Sequence, residues 1–113
     1  MRHIILAVIL IFFCYSSATA HVIEGSDLVG WMQEFDKAES HASDFSWYET
    51  AYFMGFVMGV YDSHEDEFSG DDAVNVSRIT KIVAKYLKEH PEEWNQPAYL
   101  LVLRALATAF PKK

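Results

Sequence analysis

Cysteine is nearly absent: the chain has one, Cys14, inside an apolar stretch close to its start. The run Ile4 to Phe13 is uncharged, follows Arg2 and His3, and passes into Ser16-Ser17-Ala18-Thr19-Ala20. These are the three regions of a cleavable secretory signal peptide, ending on a small-x-small site. Residues 1–20 are therefore expected to be removed, taking Cys14 with them and leaving residues 21–113 without any disulfide. Bulky rings at Phe12 and Phe13 stand where lipidation of Cys14 would need a small residue. No uncharged run reaches the roughly 20 residues of a membrane helix, so insertion after processing is not expected. Proline occurs three times, at Pro91, Pro97 and Pro111, and each falls at the edge of an apolar-periodic segment.

Positive charge is also scarce. The whole chain carries a net charge of −7, and it is segregated: residues 21–72 hold 13 acids and one base, Lys37, whereas residues 73–113 hold 7 bases and 3 acids. Nucleic acid and anionic lipid are poor partners for such a chain. A basic protein partner, or head-to-tail contact between copies, fits the split, and a merely solvated acidic surface would fit the total charge too.

What remains after the leader reads as one all-α domain, a compact four-helix domain over residues 21–113. Ser26 is placed to cap a first helix in which Leu28, Trp31, Met32 and Phe35 share a face, fading near Glu39. Ser46 and Glu49 form a capping-box pattern ahead of the most apolar segment, Ala51 to Tyr61. Gly55 and Gly59 lie four apart on it, which predicts a close crossing with a neighbouring helix. Asn75 can cap a third helix with Val76, Ile79, Val83, Tyr86 and Leu87 inward and Arg78, Lys81, Lys85 and Lys88 mostly outward, ending at His90-Pro91. Pro97 suits the first turn of a fourth helix, which Pro111 stops.

Chemistry-bearing groups are few. Of His21, His41, His64 and His90, no two have the i, i+4 spacing of a helical zinc pair, and no thiol remains. A terminal His21 would offer an amine and an imidazole to copper, but further ligands would be needed, and no cofactor or metal is assigned. There is no nucleophile elbow or phosphate-cradling loop, so no enzyme is expected. Asp62 to Asp72 contains six carboxylates, too irregularly ordered for an EF-hand. Like-charge repulsion and the negative end of the preceding helix favour a projecting loop there. Its expected binding residues are Asp62, His64, Glu65, Asp66, Glu67, Phe68, Asp71 and Asp72, with Phe68 as an aromatic anchor inside a polar rim.

The last two helices also carry a motif. Lys85-Tyr86-Leu87-Lys88-Glu89-His90-Pro91-Glu92, then Pro97-Ala98, Leu101 to Leu106 and Ala109-Phe110-Pro111, together with Gly55-Phe56-Val57-Met58-Gly59-Val60-Tyr61-Asp62, resemble the Tai family of immunity proteins. That family neutralises peptidoglycan amidase toxins delivered by type VI secretion. The resemblance implies a periplasmic, often homodimeric, non-enzymatic protein that blocks the toxin's catalytic cleft with a loop matching Asp62 to Asp72. Family members commonly carry cysteines where this chain has Ser69 and Lys112, a paired departure that implies a looser loop. An acid-activated periplasmic chaperone is the alternative, in which protonation of the loop acids exposes apolar surface.

Overall fold

The computed structural model describes residues 1–5, 7–8, 22–68 and 75–111. Most of the expected export segment with its cleavage point, and His21, Ser69, Asp71, Asp72 and Lys112, lie outside the described residues. The protein is all-α. Within residues 22–111 four helices follow one another: α1 (Gly25–Glu39), α2 (Trp47–Ser63), α3 (Val76–Glu89) and α4 (Ala98–Ala109). Short 3-10 turns at Glu65–Glu67 and Pro91–Glu93 follow α2 and α3. No helix among the described residues is long and apolar enough to cross a membrane.

α1 packs along α2, and α3 along α4. Between these pairs lies one core, to which α1 gives Leu28, Met32 and Phe35, α2 gives Phe53 and Val57, α3 gives Ile79, Val83 and Leu87, and α4 gives Leu101, Val102 and Leu106. Each set repeats at helical spacing, so burial rather than propensity holds the helices. Phe35 and Phe53 join the first two helices, with ring centroids 5.0 Å apart. Two buried threonines cost nothing in unmet hydrogen bonds, because Thr50 donates to Ser46 O at 2.8 Å and Thr80 to Val76 O at 2.7 Å.

Several helix ends differ from the sequence expectation, each for a visible reason. α1 starts before Ser26: Gly25 N–H donates to Gln96 O at 2.7 Å and Ala98 N–H to Ile23 O at 2.9 Å, which fixes the chain entry earlier. Glu24 is then the N-cap, its N–H donating to Asp27 Oδ2 at 3.1 Å. Gly25 is required there, since a Cβ would lie 2.5 Å from Trp94 O and 2.6 Å from Leu101 Cδ1. Ser46 does cap α2, accepting from Glu49 N–H at 3.2 Å, but Ser46 N–H is taken by Glu34 of α1 at 3.0 Å. Asn75 caps α3 through Arg78 N–H at 2.9 Å, and α3 ends before His90 as expected. Pro97 stands one position outside α4, as its N-cap.

The close crossing expected at Gly55 and Gly59 is not present. Both glycines face outward, and nothing lies within 4 Å of where their Cβ atoms would be. Thr50, Phe53 and Val57 occupy the inner side of α2, which leaves the glycines roughly opposite the core.

The charge segregation is partly closed within the molecule. Lys81 pairs with Glu39 at 3.2 Å and Lys88 with Asp36 at 3.1 Å, so the basic side of α3 is clipped to the acidic end of α1. These pairs are exposed and stabilise by no more than about 1 kcal/mol each. Arg78 lies over the Phe110 ring, 5.7 Å from its centroid.

Candidate partner-binding site

The acidic segment does not begin as a loop. α2 continues through Asp62 and Ser63, because Ser63 Oγ donates to Gly59 O at 2.8 Å and His64 N–H to Tyr61 O at 3.0 Å. His64 Nδ1 lies 3.0 Å from Val60 O, so the imidazole is folded back on the helix rather than held out to a partner. A 3-10 turn then carries Glu65, Asp66 and Glu67, and Phe68 N–H closes it on Glu65 O at 3.2 Å.

Phe68 overturns the expectation placed on it. It is only 3% exposed and belongs to the core. Its ring stacks on Tyr61, with centroids 6.3 Å apart and planes within 10°. The surface beside it is formed by Glu67, Leu103, Arg104 and Ala107. An aromatic side chain between acids on an otherwise apolar domain gains more from the core than from water. Phe68 therefore anchors the acidic segment to the domain and is not an outward anchor for a partner.

The carboxylates behave as expected in one respect. Asp62, Glu65, Asp66 and Glu67 are exposed, and no ion pair joins any of them among the described residues. Of the acids elsewhere, Glu34, Asp36, Glu39, Glu89 and Glu93 have basic partners, whereas Glu24, Asp27, Asp44, Glu49 and Glu92 are in no ion pair among the described residues. The densest run of acids without an ion pair among the described residues is thus where α2 ends.

A second surface was missed by sequence reasoning. α2 is apolar around its whole circumference, although only one side reaches the core. Trp47 is 75% exposed, Tyr48 80% and Tyr52 58%. Tyr52 leans on Trp31 of α1, ring centroids 5.5 Å apart, and Trp47 on Phe45 at 4.5 Å. The available clue was an apolar helix too rich in aromatics to be buried on one side only.

The other polar cluster is structural. His90, Glu92 and Glu93 bring ligand-type atoms within 4.8 Å of one another. Glu93, however, accepts from Tyr86 Oη at 2.8 Å and is ion-paired with Arg104. The hydrogen bond from the Tyr86 hydroxyl, together with the Arg104 guanidinium, holds the Glu93 carboxyl below its ordinary value. Burial, followed by the bond to Glu93, pushes Tyr86 up to about 12. His90 stacks on Tyr86 at 4.0 Å, and Trp94 Nε1–H donates to Leu87 O at 2.7 Å. A guanidinium already closes the cluster, so a cation there would meet repulsion, and the bonds instead lock the α3–α4 connection.

Compared with known protein families, residues 24–111 match the family model of the Rap1a immunity proteins. No curated protein matches the chain. The matched span covers all four helices and both 3-10 turns.

Proposed function

We propose a function from one premise: the chain belongs to the Rap1a immunity proteins. This is a type VI secretion immunity family, whose members act on a toxin protein by binding it. We infer a more specific role. The chain is exported to the periplasm and neutralises a peptidoglycan amidase toxin, without chemistry of its own, by covering the catalytic cleft.

The match across 24–111 is the observation that carries this reading. The resemblance to Tai proteins over residues 46–111 supports an amidase as the toxin, and the n-, h- and small-residue regions of residues 1–20 support export. The outward Asp62, Glu65, Asp66 and Glu67, unpaired among the described residues, support a target whose cleft carries basic or amide groups. Phe68 has no direct part in that contact; it fixes the direction in which those acids point.

The test is peptidoglycan hydrolysis by the product of the reading frame beside this chain's gene. An equimolar amount of the purified chain should abolish release of cleaved cross-links. Undiminished hydrolysis at a tenfold excess would refute the amidase reading. Deletion of residues 2–20 should also remove protection of cells from toxin directed to the periplasm, while leaving inhibition by the purified protein unchanged.

A further inference from the structure

Among the described residues nothing covers the outward side of α2. Tyr48, Ala51, Tyr52, Gly55, Gly59 and Asp62 recur at helical spacing along it, and all are exposed. They form a second stripe, opposite Thr50, Phe53 and Val57. The other exposed large apolar side chains of the domain are Trp47, at the start of the same helix, and Val22, Val76 and Tyr99, which are spread over different parts of the chain. Tyrosines beside a smooth strip of small residues leave room for a partner element to approach the helix backbone, and they lose little conformational freedom on contact.

Charge decides what covers it. At the C-terminal end of α2 stand Asp62, Glu65, Asp66 and Glu67, none of them ion-paired among the described residues. Near the N-terminal end, Glu34, Asp44 and Glu49 all act on Lys37, and neither Asp44 nor Glu49 is ion-paired among the described residues. Both ends are therefore negative. A second copy laid on this side by two-fold symmetry brings acid against acid, whether the two helices run parallel or antiparallel. A partner with cations around an apolar ridge meets no such penalty. Size agrees: a stripe about 25 Å long and about 10 Å wide is well short of the roughly 800 Å² that each partner buries in a stable complex. The acidic rim must be covered as well.

We propose that the outward side of α2, centred on Tyr48, Tyr52 and Gly55, is the principal docking surface for the toxin, which presents to it an apolar ridge flanked by lysine or arginine. This rests on the immunity reading and adds where the toxin is held. The acidic turn beyond Asp62 then reaches the cleft as the end of a docked helix rather than as an independent loop.

Gly55→Gln gives the cleanest test, because the new side chain enters open space in the free protein, keeps the charge and removes a helix-disfavouring glycine. The probe is the product of the neighbouring reading frame, in inactive form, titrated against the full chain purified from the exported fraction. Gly55→Gln should weaken binding by at least about 100-fold with melting temperature unchanged or a few degrees higher. Tyr48→Ala should weaken it about tenfold, and raising salt should slow association of the wild type far more than it speeds dissociation. Wild-type affinity in both variants overturns the proposal and leaves the immunity reading intact. A wild-type dimer that Gly55→Gln converts to monomer also overturns it, by giving the surface to a second copy. No binding by the wild type removes the immunity reading and this proposal together.

Discussion

Phe68→Ala separates the two places an aromatic in an acidic segment can go. The ring is 3% exposed and in van der Waals reach of Tyr61, so its removal deletes buried apolar area and leaves a void. Buried Phe→Ala changes cost about 3–5 kcal/mol. Phe68 closes a short turn at the margin of the core, where neighbours can relax, so the low end of that range, about 3 kcal/mol, applies. For a domain of this size that corresponds to a fall in melting temperature of roughly 12–24 °C. Thermal unfolding followed by circular dichroism measures it directly, and Phe68→Leu should restore more than half of the loss. A fall of less than about 3 °C would show that the ring is solvated, and would refute the anchoring role. An exposed anchor gives the reverse pattern, with unchanged melting and lost toxin affinity.

Gly25→Ala should destabilise by about 2 kcal/mol or more, since its Cβ meets Trp94 O and Gln96 O, both backbone atoms with nowhere to move. Gly30→Ala, with nothing within 4 Å, should instead stabilise by about 0.5–1 kcal/mol, and urea unfolding of the two variants side by side checks the contrast. Asn75→Ala removes the acceptor for Arg78 N–H and should cost about 1 kcal/mol, read in the same denaturant series. On the alkaline side, Tyr86 is raised from 10.0 to about 12, so stability is fully present below pH 10 and declines as pH rises toward 12. Tyr86→Phe should flatten that part of a melting-versus-pH profile. On the acid side, Glu34 is held low chiefly by Ser46 N–H and then by Lys37, and Glu93 chiefly by Tyr86. Stability from both is present above 4.5 and is lost as pH falls below it, which the same profile tests.

The helices were legible because their apolar positions repeat at 3.6 residues, and Asn75, Ser46, Pro91 and Pro111 mark ends that depend on local chemistry alone. Ser26 was misread because the start of α1 is set by Gln96, about seventy residues away, and no local pattern reports that bond. Gly55 and Gly59 share a face in any α-helix; which way that face points depends on where Thr50, Phe53 and Val57 find the core. Phe68 shows the same limit at the candidate site. Its acidic neighbours describe the turn's surface, whereas its own fate is decided by Tyr61 and the α4 residues beside it.

The resemblance to Tai proteins implies a cysteine at each of two places where this chain has Ser69 and Lys112. A disulfide joining the positions of Ser69 and Lys112 would close a loop of about 43 residues and stabilise by about 4 kcal/mol through chain entropy. Immediately before each of those positions, or nearly so, stands a buried ring: Phe68 against Tyr61, and Phe110 beneath Arg78. Two buried phenylalanines contribute roughly 3–6 kcal/mol, the same scale as the bond. The two tethers differ in kind. A disulfide constrains the unfolded chain whatever the surroundings, while ring burial depends on the folded core and releases the acidic turn when that core loosens. The direction of the acids is thereby coupled to the packing of α2 against α4. In the proposed complex, contact on the outer side of α2 and the aim of Asp62, Glu65, Asp66 and Glu67 would then strengthen or fail together. A double-mutant cycle between Phe68→Leu and Tyr48→Ala, read as toxin affinity, measures that coupling. Strict additivity within about 0.3 kcal/mol would show that the anchor and the docking surface act independently.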